Sequence, residues 1–458
     1  MNNTFIFCLI LTSISFSLKA KDYNVNDFGA KANGKTINTD IIQKVIDKCN
    51  NEGGGTVIFT KGVYLTGTII LKNNVTLHVD EDATIMGSSN PIDYKVIDPF
   101  VDATGQQRGS CLIGAVDADN IAITGNGIIN GRGESYQNYN LSKLTKPASL
   151  TDKQWNEVKI NRPFLLRFVR SSHIKLSQIY LQQAAAWACH FYQCNTISVN
   201  NVQIYNHAHK NNDGIDIDSS CDVDINGCFI DTGDDAVCIK ATSVLPSMNV
   251  RIKNSILKSE WGAFKLGTES MGDFKNITFD SSIIINTRGG GIKILSVDGA
   301  NIENVNISNI NMHNVDMPIF VRLGERLRTY RGAYKREVGS IKGLNFNNVY
   351  SKINTTIKER VSPGSAIFIT GTSNHPIDEV SFNNVNLEIT GSGDKDINAK
   401  QLPELEKQYP EYISFGVTPA YGITARHVNT LNLKKVNVIC KKRDSRPLKI
   451  MIDVKKCR

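Results

Sequence analysis

From about residue 121 onward the chain repeats one short pattern, in which β-branched residues alternate with Asn or Ser, a turn follows, and a second alternation begins. Copies run at Ile121–Ile123, Ile174–Leu176, Ile197–Val199, Val223–Ile225, Val250–Ile252, Ile277–Phe279 and Ile302–Val305, then at Leu344–Phe346, Val380–Phe382 and Leu431–Leu433. In the middle of the chain they recur about every 23 to 28 residues, a solenoid spacing. A unit this short cannot bury its own apolar face, so it must stack on its neighbours, and stacking dictates one elongated body. The units use Ile and Val where leucine-rich repeats would place Leu, which favours a parallel β-helix over a horseshoe. The frequent Asn residues suit turns that need a left-handed backbone between short strands.

The ends and interruptions follow from the same logic. Ile41, Ile42, Val45, Ile46 and Cys49 fall at helical spacing behind Asn38 or Thr39 as N-cap, and Gly53-Gly54-Gly55 stops that helix. An amphipathic helix there would cover the open end of the stack, and the strand-like runs Thr56–Phe59, Thr68–Leu71 and Val75–Val79 would start it. Segments at about 131–162, 322–340 and 390–420 break the period and read as flank loops, with a helical turn expected around Pro403 to Tyr409. The apolar run Phe5–Leu18, ending in Ala20 before Lys21-Asp22, reads as a cleavable export signal and is too short to span a membrane. The expected organisation is therefore a signal at 1–20 and a single β-helix domain over 21–458, in a secreted or periplasmic protein without a membrane span.

A formal charge of +8 with scattered Lys and Arg gives a mild bias toward anionic partners. No zinc spacing, helix-turn-helix pattern or aromatic-basic stretch points to nucleic acid. Of the ten cysteines, Cys8 lies in the signal, and the other nine contain no CxxC. Most read as small buried hydrophobes, with Cys440 and Cys457 as the expected bridge.

Neighbouring repeats carry polar groups that the repeat does not need. One reads Asn211-Asn212-Asp213-Gly214, the next Gly233-Asp234-Asp235, so Asp213 and Asp234 stand about one coil apart. Stacked strands lie about 4.8 Å apart, which brings these carboxylates together. Adjacent Asp residues on a regular strand face opposite ways, and a bulge at Gly233 would turn both outward. Clustered acids repel, so at least one holds its proton beside ionised partners, the pairing that glycoside hydrolysis needs; a gap of about 6.5–9.5 Å would admit water and give inversion. Each acid alone reads as a turn former. A calcium site built from Asp213, Asp216, Asp218, Asp234 and Asp235 is a rival reading. Lys265 and Lys293, on the following repeats, read either as anchors for substrate carboxylates or as a solvated face. The basic run Arg322, Arg326, Arg328, Arg331, Lys335 and Arg336 reads as a solvated loop before a substrate clamp. Trp187 leans to the core, His190 to core or groove, and His207 and His209 are candidate subsite contacts.

These motifs, together with Asp27-Phe28-Gly29-Ala30, Gly53-Gly54-Gly55 and Gly62-Val63-Tyr64, resemble the polygalacturonase family, glycoside hydrolase family 28, over most of the chain. The resemblance implies a right-handed parallel β-helix and an inverting hydrolysis without metal or cofactor. It aligns the family's NTD motif with Asn211-Asn212-Asp213 and its paired acids with Asp234 and Asp235, which makes Asp234 the general acid and Asp213 and Asp235 the bases. Two positions depart: the family's GHG histidine falls at Gly262 and the arginine of its RIK motif at Gly291. Loss of that histidine is similar to the rhamnogalacturonan-cleaving branch, and loss of the arginine weakens recognition of a galacturonate carboxylate, unless Arg288 or Lys265 substitutes. The expected substrate is an anionic pectic poly- or oligosaccharide, including rhamnogalacturonan types, contacted by Asn211, Lys265, Lys293, Arg288 and His209 of a monomer. A polysaccharide lyase and a non-catalytic carbohydrate-binding solenoid are the alternatives.

Overall fold

The computed structural model describes residues 21–136, 148, 151–153, 162–355, 357–391 and 402–458. The signal expected at 1–20 and most of the 131–162 interruption lie outside these residues. Ile121 stacks on Ile174, Ile197, Val223, Val250 and Ile277 in turn, and the column continues through Val305, Leu344, Val380 and Leu431. All ten side chains are buried. Each pairing is parallel, because every coil hydrogen-bonds its edges to the coils before and after it. The architecture is a right-handed parallel β-helix. Its core is a continuous apolar filling, aliphatic with stacked phenylalanines, running along the stack.

The turns behave as their Asn residues require. Asn249, Asn276 and Asn304 each sit at φ 55°. Their amides form a ladder, Asn276 Nδ2 donating to Asn249 Oδ1 over 3.1 Å and Asn304 Nδ2 to Asn276 Oδ1 over 2.8 Å. At the amino end, helix α1 (Thr39–Asn51) buries Ile42, Val45, Ile46 and Cys49 against the first coils. Gln43 fixes it to a strand edge, accepting from the Ile70 amide at 2.7 Å and donating to the Ile70 carbonyl at 3.0 Å. Asn38 is the N-cap residue, but its side chain donates to the Lys31 and Thr36 carbonyls and leaves the helix amides alone. No helix among the described residues is long and apolar enough to cross a membrane.

Three expectations change. Pro403–Tyr409 is not helical; a 3-10 turn forms at Tyr412–Phe415, where Phe415 packs on Phe320 and Phe368. Cys440 and Cys457 are free, because Cys457 pairs in register with Leu431 while Cys440 pairs with Ile389. The basic run lies in a loop but is mostly paired instead of solvated: Arg326 binds Asp298, Arg331 binds Asp98, Arg336 binds Asp273, and Arg322 is buried on the carbonyls of Gly371 and Glu404, while Lys335 is exposed.

Candidate active site

Five stacked strands carry one column of side chains that includes both lysines singled out in the repeats. His190 (Cys189–Tyr192), Asp216 (Ile215–Asp218), Cys238 (Val237–Ala241), Lys265 (Phe264–Ser270) and Lys293 (Ile292–Ser296) are register partners in succession. The offset from Ile215 to Val237 is 22 residues, so Asp213 stacks on Asp235, and Asp234 falls one position earlier. Backbone bonds extend that register outward: the Gly214 amide donates to the Asp235 carbonyl, and the Ala236 amide to the Gly262 carbonyl.

Asp234 and Asp235 do not sit on a bulged strand. They lie on a bend between Phe229–Thr232 and Val237–Ala241. Gly233 is required by close approach, since a Cβ there would lie 2.6 Å from the Asn212 amide nitrogen. Two hydroxyls pin the bend, Thr232 and Ser259 both donating to the Asp234 carbonyl, at 2.6 and 2.7 Å. Asn206 holds the facing turn by donating to the Asp213 carbonyl.

The result is a tight group in which one oxygen each of Asp213, Asp234 and Asp235 lies within 4.8 Å of the others. Asp213 and Asp235 are buried, while Asp234 is partly exposed. Burial, then the neighbouring Asp235, pushes Asp234 up to about 6. Burial also opposes ionisation of Asp235, but Lys265 and Lys293 outweigh it and hold this carboxyl below its usual range. Asp213 goes well above the carboxylate range through burial and then through Asp216 and Asp234. The site therefore pairs groups that retain a proton with one that releases it, the division acid–base chemistry requires. These nearest-oxygen distances are shorter than the gap of about 6.5–9.5 Å between carboxyls that marks many inverting enzymes, so separation alone does not set the stereochemistry here.

Both lysines expected to meet substrate are buried and paired inside the protein. Lys265 Nζ lies 2.8 Å from Asp235 Oδ2, and Lys293 Nζ contacts both oxygens of Glu411 at 3.1 and 3.0 Å. Glu411 also accepts from the Trp261 indole at 3.0 Å and meets Lys265 Nζ at 3.5 Å. Gly262 leaves room for this arrangement: a Cβ would stand 2.5 Å from Asp235 Oδ1 and 2.7 Å from Lys293 Cε. Lys240, which with Lys265 and Lys293 weighs against a cation cage, reaches Asp213 at 3.5 Å, Asp216 at 3.2 Å and Glu269 at 3.7 Å. Its ammonium rests 3.9 Å from the ring centroid of the buried Trp187.

The other candidates are spread around this centre. Asn211 Oδ1 accepts from Arg162 and Gln106, and His209 Nδ1 lies 2.9 Å from Arg162 Nη1. Arg162 thus clamps the turn that leads into Asp213; no motif marked it, since it lies in an interruption of the repeat. Arg288 pairs with Glu260 at 3.0 Å. His207 meets Asp231 at 2.7 Å. His190 is buried against Arg167 and Asp218. The five-acid cation cage does not assemble, because Asp216 faces Lys240 and Asp218 is held by Thr242 and His190.

The sequence model of glycosyl hydrolases family 28 matches residues 49–407. A probable polygalacturonase of Vitis vinifera is similar at 26% identity, over 63% of this chain and 62% of its own length. An exo-poly-alpha-D-galacturonosidase of Dickeya chrysanthemi is also 26% identical, over 58% of this chain. The match spans half of that relative's length, at 50%. In fold, the family 28 exopolygalacturonase of Yersinia enterocolitica superposes with a TM-score of 0.74 over 96% of this chain and 78% of its own, at 20% identity. A parallel β-helix, three convergent aspartates from adjoining coils and a family match over most of the sequence agree, and the chain belongs to glycosyl hydrolases family 28.

Proposed function

We propose that the protein hydrolyses glycosidic bonds in pectic, galacturonate-containing poly- or oligosaccharides, rhamnogalacturonan types included, with inversion at the anomeric carbon. The observation that carries this reading is the convergence of three carboxyls within 4.8 Å, with Asp234 raised to about 6 and Asp235 lowered. Asp234, partly exposed, donates its proton to the glycosidic oxygen as that bond breaks. Asp235, kept ionised by its lysines, draws a proton from the water that attacks the anomeric carbon. Asp213, expected from the resemblance as a second base, is driven toward its protonated form by burial and by Asp216 and Asp234, and in this reading orients that water instead. Transfer of this proton back to Asp234 resets the cluster. Inversion is carried over from the family resemblance. On the same reading, residues 21–458 act as one catalytic domain, residues 1–20 direct export, and the secreted or periplasmic protein works as a monomer.

Wild-type protein and D234N are to be incubated with a panel of pectic polymers and oligomers. Reducing ends should accumulate with wild type and fall by at least about 100-fold in D234N, the scale of a lost general acid. Proton NMR of the first products should show the inverted anomer. Unsaturated, ultraviolet-absorbing products would instead establish eliminative cleavage, and unchanged turnover in D234N would remove Asp234 from the reaction.

A further inference from the structure

The arrangement around Lys265 and Lys293 defines what can be seated beside Asp235. A substrate carboxylate is recognised in a dry groove by cations that still have donors to offer. An ammonium has three. Those of Lys293 face both oxygens of Glu411 and, at 3.8 Å, Asp235 Oδ1. Lys265 is committed to Asp235 and Glu411, and Lys240 to Asp213, Asp216 and Glu269. Each of these three ammoniums already has a carboxylate partner.

Glu411 is no chance surface contact. It is 2% exposed, and it comes from the non-repeating segment 402–422, which crosses the strands instead of forming one. Next to it, Tyr412 donates to Asp316 Oδ2 at 2.8 Å, and Tyr412 and Phe415 both pack on Phe320, so the carboxylate is delivered by an anchored strap. The Trp261 indole fixes it from a third side. The neighbouring glycines fit the same purpose. Side chains at Gly262 and Gly290 would meet Lys293, at 2.7 Å from Cε and 3.0 Å from Cδ, so the space beside these glycines is filled by the lysine stem and, at Gly262, by Asp235.

We propose that Glu411 takes the place of a substrate carboxylate at the Lys265–Lys293 pair, so that the sugar unit seated there is neutral and Glu411 sets this specificity. The inference rests on the hydrolase reading above and narrows its substrate to chains that alternate galacturonate with a neutral sugar. Bringing a uronate to this position would add a negative charge beside Asp235 and Glu411, which already share Lys265 and Lys293.

The test compares wild type, E411A and E411Q. Wild type should show at least a ten-fold higher kcat/KM on an oligomer alternating galacturonate with a neutral sugar than on a galacturonate-only oligomer. In E411A the lysines are opened, so galacturonate itself, titrated by calorimetry, should bind at least ten-fold tighter than to wild type, and the substrate preference should shrink. E411Q keeps the side-chain shape while removing the charge, and should move both readouts the same way. Equal or reversed wild-type preference overturns the proposal, as does a folded E411A or E411Q that binds galacturonate no better. Should both variants fail to fold, the wild-type ratio still decides. Inertness of wild type on every pectic substrate would sink the hydrolase reading itself, whereas the change in galacturonate binding would still report on Glu411.

Discussion

Asp234 and Asp235 share one bend, yet their surroundings drive their proton affinities in opposite directions. Lys265 is the largest favourable influence on Asp235, at a contact of 2.8 Å, and it acts on Asp234 from farther away. In the proposed mechanism the active form has Asp234 protonated and Asp235 ionised, so kcat/KM should follow a bell. Its alkaline limb falls as pH rises through about 6, and its acid limb falls as pH drops through the lowered value of Asp235. Removing the ammonium in Lys265→Met raises both affinities, and Asp235 the more; the acid limb should move up further than the alkaline limb and the bell should narrow. A pH series of kcat/KM on both proteins checks this, and an unmoved acid limb would exclude Asp235 as the ionised base. At this scale the three aspartates were legible because Asp213 and the Asp234-Asp235 pair stand one coil apart. The partners that set their protonation were legible only in part: Lys265 and Lys293 stood out as charges, but a spacing argument could not tell a lysine facing substrate from one buried on Glu411.

Strands were the easiest elements to read, since alternation of apolar and polar residues is the signature of a half-buried strand. Helix α1 was equally visible from Ile42, Val45, Ile46 and Cys49 on one face. Because a solenoid is stabilised coil by coil, damage to this cap should stay local. Ile46→Ala should cost about 2–5 kcal/mol, the range for emptying a buried aliphatic site. Hydrogen exchange should then quicken in Gly55–Phe59 and Val75–Val79 while the coils around Val237–Ala241 keep their protection. Uniform loss of protection along the stack would show that the cap is coupled to the whole body. The segment from 402 to 422 is the loop expected there, but the helical turn expected around Pro403 to Tyr409 does not form; the anchors are Tyr412 and Phe415, whose aromatic partners Phe320 and Phe368 lie on strands far away in sequence.

Over the whole molecule the charge is +8, and three arginines of the basic run at 322–336 are tied up in ion pairs with Asp98, Asp273 and Asp298. What remains acts as a diffuse field, which salt screens over about 10 Å at 0.1 M. For an anionic polymer, kcat/KM should therefore fall as ionic strength rises while kcat stays level; a flat kcat/KM would mean that long-range attraction plays no part. By itself the sequence determined the β-helix, the order of its coils, the capping helix and the three converging aspartates, because each depends on a local period or on recurrence one coil later. Only the tertiary structure decided that Lys293 belongs to Glu411, 118 residues distant, that Arg162 clamps the turn before Asp213, and that Cys440 and Cys457 stay apart. Those contacts are made by segments that interrupt the repeat, and where a chain has no period its sequence carries no record of which coil it will lie against.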